Sequence, residues 1–138
     1  MSHTSMSGDG LVTLPSLHDF VTTLGRLTAA LEAKGLAIFA RIDHAAGAAS
    51  VGLALPPTTL LVFGNPAGGT PLMQAAQTAG IDLPLKALVW QDADGAVRVT
   101  YNDPAWIAAR HRLGGAAAHA VAALTSALDG LARHATGA

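Results

Sequence analysis

The sequence predicts an α+β fold: one two-layer domain, with a mainly antiparallel sheet covered by helices on one face. Three observations carry this. Two apolar stripes recur at helical spacing, one near each end of the chain. Between them lie short apolar runs and an Asp94-Gly95 pair, the signal of a β-hairpin. Strands and helices do not alternate regularly enough for a doubly wound parallel sheet.

The elements follow in order. Residues 1–10 are small and polar and read as a flexible lead-in, with 11–138 as the single domain. They lack the basic and apolar regions of a signal peptide. Residues 11–14 form a short apolar run, a first strand, which Pro15 stops. Ser16 and Asp19 resemble a capping box with Asp in place of Glu or Gln. Phe20, Leu24, Leu27 and Leu31 then make an amphipathic stripe, so a helix is predicted over 17–34, with Gly35 as its stop. Residues 36–43 read as a strand. Residues 44–49 are either a loop or one helical turn. Residues 51–55 suggest a further strand, and 60–63 a central buried one.

The run 64–69 reads as a loop, after which Thr70 is a plausible N-cap with Pro71 at the first helical position. That helix would span about 71–79 and end at Gly80. A strand at 85–91, the Asp94-Gly95 turn and a returning strand at 97–101 make the hairpin. Asp103 caps a helix that starts at Pro104 and ends near Gly114. Val121, Leu124, Leu128 and Leu131 give the last helix, at about 115–133.

Composition narrows the function. Half of the 138 residues are hydrophobic, yet only 4% are aromatic and 12% charged. An average soluble protein carries roughly 25% charged residues. So thin a charge suggests that part of the surface is covered, by a second subunit for example, unless an alanine-rich composition alone explains it. Eight basic and nine acidic residues leave a net charge of −1, with no basic cluster to neutralise nucleic-acid phosphates. The absence of cysteine removes disulfides, thiolate metal sites and cysteine nucleophiles, and suits a cytoplasmic setting. The alanine-rich tail is broken by His119, Thr125, Ser126 and Asp129 and is not expected to span a membrane.

Several segments stand in a telling order: residues 39–47 (FARIDHAAG), 63–73 (FGNPAGGTPLM), 83–86 (LPLK) and 100–104 (TYNDP). Together with the helix entry at 16–20 they resemble the family known as domain of unknown function 302, over roughly 11–112. The resemblance implies a two-layer domain with an antiparallel sheet, and often a homodimer. It implies no substrate, cofactor or catalytic residue.

Three polar clusters are candidate ligand sites. At 64–70 the outer glycines match the spacing of a Walker A loop. However, Thr70 stands where Lys is required and Pro71 where Ser or Thr must reach the metal. An anion site on exposed backbone N–H groups remains open there, as does a plain tight connection with Asn65 capping backbone. Asp43-His44 ends a strand; His44 suits a metal ligand or a proton carrier, or both residues simply cap the next turn. Tyr101, Asn102 and Asp103 end the hairpin, where Asp103 is explained as a cap and Tyr101 and Asn102 remain free to line a pocket. The other histidines show no HxH, HxxxH or HExxH spacing, and no GxSxG elbow occurs.

These features lead to a homodimeric small-ligand or metal-binding module, centred on His44 with Asn65 and Asp103. An enzyme using His44 as general acid/base is the alternative, and an interaction protein acting through its dimer surface is the third. Neither nucleic acid nor membrane is expected as a partner, and no cofactor is indicated.

Overall fold

A computed structural model describes residues 5, 6 and 8–138. Among the described residues six strands form one sheet: β1 (Ser5–Met6), β2 (Leu11–Pro15), β3 (Ala37–Asp43), β4 (Thr58–Gly64), β5 (Leu85–Gln91) and β6 (Val97–Asn102). Their spatial order is β1-β2-β6-β5-β4-β3, and every pair is antiparallel. The predicted class therefore holds. The lead-in does not hold throughout: Ser5 and Met6 pair with Thr13 and Val12 as an edge strand. The remainder of that expectation, at 1–4 and 7, lies outside the described residues.

Alternation decides which sheet face is covered. Successive strand side chains point to opposite faces. Val12, Leu14, Leu61, Phe63, Ala87, Val89, Val97, Val99 and Tyr101 are buried, while their strand neighbours are half-buried or, at Leu11, exposed. The buried face packs on α1 (Phe20–Ala33) and α5 (Ala118–Thr136). Those helices contribute Leu24, Leu27 and Leu31 from one, and Leu128, Leu131, Ala132 and Ala135 from the other. The α1 stripe thus faces the sheet, and so does the second half of the α5 stripe, while Val121 and Leu124 pack against Leu72, Ala79, Leu113 and Ala117.

The first helix starts later than expected, because Asp19 is the cap itself. Its carboxylate accepts a hydrogen bond from the Thr22 N–H at 2.7 Å. Ser16 instead shares a 2.7 Å hydrogen bond with the buried Thr23 hydroxyl. Arg26 reaches across to α5 and donates twice to the His134 carbonyl.

The middle of the chain settles one open reading and overturns two. Residues 44–49 belong to a true helix, α2 (His44–Ser50), capped by the Asp43 carboxylate on the Ala46 N–H at 2.9 Å. Residues 51–55 are not a strand. The N–H groups of Val51, Gly52 and Leu53 bond back to the Ala48 and Ala49 carbonyls as the turn that closes α2, and the run crosses the surface exposed without joining the open edge of β3. Nor is β4 buried on both sides, since its burial alternates residue by residue.

The hairpin forms as read. Asp92 accepts from the N–H groups of Asp94 and Ala96, and Gly95 takes the positive φ the turn needs. Asp92 also pairs with Arg98, whose guanidinium lies 5.3 Å from the Trp90 ring centre. At the chain's end α5 runs a turn past its predicted limit, to Thr136, where Gly137 closes it in the left-handed conformation. The 3-10 turn Gly114–Ala117 takes up the predicted start.

Candidate functional site: two clefts beside the last helix

The loop at 64–70 is mostly helix. Asn65, not Thr70, is the N-cap: its side-chain oxygen accepts from Gly68 N–H at 2.8 Å, and α3 runs Pro66–Ala75 with Pro71 inside it. Two prolines compete for the first helical position, and Asn before the first one supplies the stronger cap. This start leaves little for an anion. Pro66 has no N–H, and those of Gly68 and Gly69 already bond Asn65.

What α3 creates is a cleft. The main core and a smaller cluster around Leu72, Ala79, Leu113 and Ala117 do not merge. Between them lies a cavity of about 500 Å3. Leu36, Phe63 and Leu85 line it from the main core, Met73 and Leu83 from the other, and Leu124, Ala127 and Leu128 from α5. Asn65 and Thr70 are its polar residues. At about 24 cal/mol per Å3, a sealed apolar void of that size would cost roughly 12 kcal/mol. That rivals the whole stability of a small domain, about 5–15 kcal/mol, so the space persists as a cleft and not as a closed defect.

A second cavity, of about 820 Å3, lies between β2, β6, α4 (Pro104–Arg110) and the outer side of α5. Asp103 is the predicted cap of α4, accepting from the Ala105 N–H at 3.0 Å. Together with Tyr101 it lines this cavity, joined by Thr125, Ser126, Asp129 and Arg133 from α5. Tyr101 is only 6% exposed. Burial, then the charges of Asp129 and Asp103, push its phenol up to about 12, with Arg133 pulling the other way. The hydroxyl therefore stays neutral across the physiological range.

The sequence candidates thus divide. Asn65 and Thr70 belong to the first cleft, and Tyr101 and Asp103 to the second. Asn102 is half-buried and pairs with Leu11 across β2 and β6. Asp43 and His44 are exposed at the far end of β3 and line neither cavity. Among the described residues no three His, Cys, Asp or Glu side chains gather as a metal site. His44 is thus separated from the residues with which it was grouped.

One cluster escaped the sequence reading. Asp82, in the 3-10 turn Gln77–Asp82, accepts from Arg110 at 2.9 Å and lies 2.6 Å from Nε2 of His111. The other ring nitrogen of His111 meets the Thr78 hydroxyl at 3.0 Å. Arg110 also stacks over Trp106, 5.7 Å from its ring centre. Nothing local links residues 29 positions apart; only the packing of α4 on that turn brings them together.

Fold and clefts define a two-layer α+β domain built on an all-antiparallel sheet. The chain belongs to the family described as domain of unknown function DUF302, whose profile matches residues 12–131. The crystal structure of an uncharacterized conserved DUF302 protein from Bacillus stearothermophilus superposes with a TM-score of 0.81 at 18% identity. That match covers 91% of this chain and 98% of the other, and it shows the shared fold. Two Brucella proteins, named fluoride-specific ion channel FluC 1 in B. suis and FluC 2 in B. melitensis, are each 45% identical over 133 residues. The match covers 96% of this chain but only 52% and 49% of theirs, so the chain spans about half the length of these relatives. Among the described residues no helix is long and apolar enough to cross a membrane.

Proposed function

We propose that this chain is a small-ligand-binding module whose site is the apolar cleft between α3 and α5. The carrying observation is the 500 Å3 space left where the two hydrophobic clusters fail to join. Its size falls within the range of small-molecule sites, and its lining has their character: mostly apolar, with a few polar groups that orient the ligand. Asn65 spends its side-chain oxygen on the helix cap, so its amide N–H groups remain to donate, and the Thr70 hydroxyl is exposed. The ligand this fits is a compact apolar molecule with one polar end. In the Brucella relatives a region like this chain makes up about half of a longer protein, an arrangement that suits a binding module joined to a second activity.

Titration with the neutral dye N-phenyl-1-naphthylamine tests the reading. Saturable one-to-one fluorescence enhancement is expected, and Ala127→Trp, which fills the cleft from α5, should abolish it while leaving the circular dichroism unchanged. Equal binding by wild type and Ala127→Trp would sink the proposal.

A second reading, self-association, rests on a different observation. Phe39, Ile42, Val51, Leu53 and Leu55 are all exposed, by 42–70%, along β3 and the segment after α2. Exposed apolar side chains on an edge strand and the segment that follows α2 suit an interaction surface. A homodimer through this arm predicts twice the chain mass by light scattering at micromolar concentration, and the monomer mass for Leu53→Glu. A wild-type monomer under those conditions rules it out.

A further inference from the structure

We propose that Phe39 sets the ligand class of the apolar cleft: its ring closes the mouth over a flat aromatic ligand. This rests on the reading of that cleft as a binding site.

Three observations carry it. The first is a β-bulge. Ile38 pairs with Phe63 and Ala40 with Val62, which are neighbours on β4, so Phe39 is an extra residue in β3. Ile38 packs against the main core. Regular alternation would send the next side chain to the opposite face, away from the helices. A bulge re-aims a side chain, as it does beside many active sites, and the Phe39 ring lines the cleft with Leu36 and Phe63.

The second is placement at the rim. The chain has three phenylalanines. Phe63 is buried in the main core and Phe20 packs against it, whereas Phe39 does neither and is 56% exposed. A side chain that lines a cavity and is also open to water stands between the two. Exposed side chains change rotamer without any backbone motion. Rotation over a bound ligand takes the Phe39 ring out of water, so closure is favoured only when the cleft is filled.

The third is the chemistry the ligand meets. Met73 lines the same cleft, and a thioether packs favourably against an aromatic ring. A flat ligand therefore finds a phenyl ring at the mouth and a polarisable sulfur in the wall, groups that favour another ring over a flexible chain.

The experiment extends the dye titration of the full chain. Bound N-phenyl-1-naphthylamine is displaced by 1-naphthalenemethanol, a neutral aromatic alcohol, or by 1-decanol, an aliphatic one, with the dye's own affinity measured for each variant. Phe39 is exposed on an edge strand, so its variants should fold, as circular dichroism checks. Phe39→Leu keeps an apolar side chain and removes the ring. It should weaken the aromatic alcohol about two- to tenfold, the worth of an aromatic pair beyond its area, and leave decanol unchanged. Phe39→Ala should weaken both alcohols and speed dye release in stopped flow. Equal losses for the two alcohols in Phe39→Leu overturn the proposal, as do wild-type affinities in Phe39→Ala. A changed mass in light scattering with those affinities intact would assign the ring to the β3 interaction surface instead. Wild type that binds no dye removes the cleft reading and this inference together, whereas dye binding that ignores Phe39 removes the inference alone.

Discussion

His111 Nε2 lies 2.6 Å from Asp82 Oδ2, with side chains only 7% and 15% exposed, and this contact fastens the turn after α3 to the end of α4. Burial alone would raise the Asp82 carboxyl. The hydrogen bond from His111 and the charge of Arg110 outweigh it and hold the group below its ordinary 3.8. A carboxyl depressed in the folded state adds stability above its unfolded value and loses it as pH falls through the folded one. Asp82→Asn should therefore cost about 1.5–3 kcal/mol at neutral pH, the range for a hydrogen bond to a charged group. The deficit should shrink below pH 3.8. Urea midpoints for both proteins across that pH range measure it; a deficit that stays constant into acid would contradict the electrostatic account.

Gly10 should tolerate no side chain. It has φ +88°, and a Cβ there would stand 2.3 Å from Cγ of Trp106. Its carbonyl meanwhile accepts from Asp103 N–H at 2.8 Å, tying β2 to the entry of α4. Left-handed backbone costs an L-residue about 1–2 kcal/mol, and the ring must also move. Gly10→Ala is thus expected to lose more than that in urea unfolding and to shift the tryptophan emission. Gly25→Ala, with open space around it, serves as the control.

These features divide by how far apart in the chain their causes lie. The caps at Asp43 and Asp103 and the turn at Asp94-Gly95 were legible because each rests on neighbours within four residues. The start of α3 was misplaced because Pro66 and Pro71 both suit a first turn, and only the Asn65 side chain on Gly68 N–H decides between them. The strand expected at 51–55 failed because the turn that closes α2 takes its backbone: the N–H groups of Val51, Gly52 and Leu53 bond back to Ala48 and Ala49. Tyr101 and Asp103 of the second cavity were named from the sequence. Asp129 and Arg133 were not, because only the packing of α5 beside β6 brings them to the same cavity.

The helix α2 should be held by its cap almost alone. It buries no side chain, so neither packing nor length stabilises it, and the Asp43 carboxylate on Ala46 N–H is its main local support. Asp43→Ala should cost about 1 kcal/mol of local helix stability. Faster hydrogen exchange over 44–50 is the expected readout, with the urea midpoint of the whole domain unchanged. Asp43→Asn, which can still cap, should retain the wild-type exchange pattern.

Tyr101 offers a spectroscopic test of how its cavity is built, because it is the chain's sole tyrosine. Its phenol is pushed up to about 12 by burial and by Asp129 and Asp103, against an ordinary 10.0. A group whose folded value is raised contributes stability that is fully present below the unfolded value and is lost as pH climbs through the folded one. Unfolding by alkali should therefore set in as pH rises past 10.0 toward about 12, and phenolate absorbance should appear late, together with the loss of structure. Tyr101→Phe removes the ionising group and should flatten this alkaline decline without altering the acid limb set by Asp82. Asp129→Asn should bring the phenolate signal to lower pH, since it takes away one of the two charges that oppose ionisation. Phenolate absorbance titrating at the ordinary value in the folded protein would mean that Tyr101 is solvated, and that the cavity between β6 and α5 does not hold it as described.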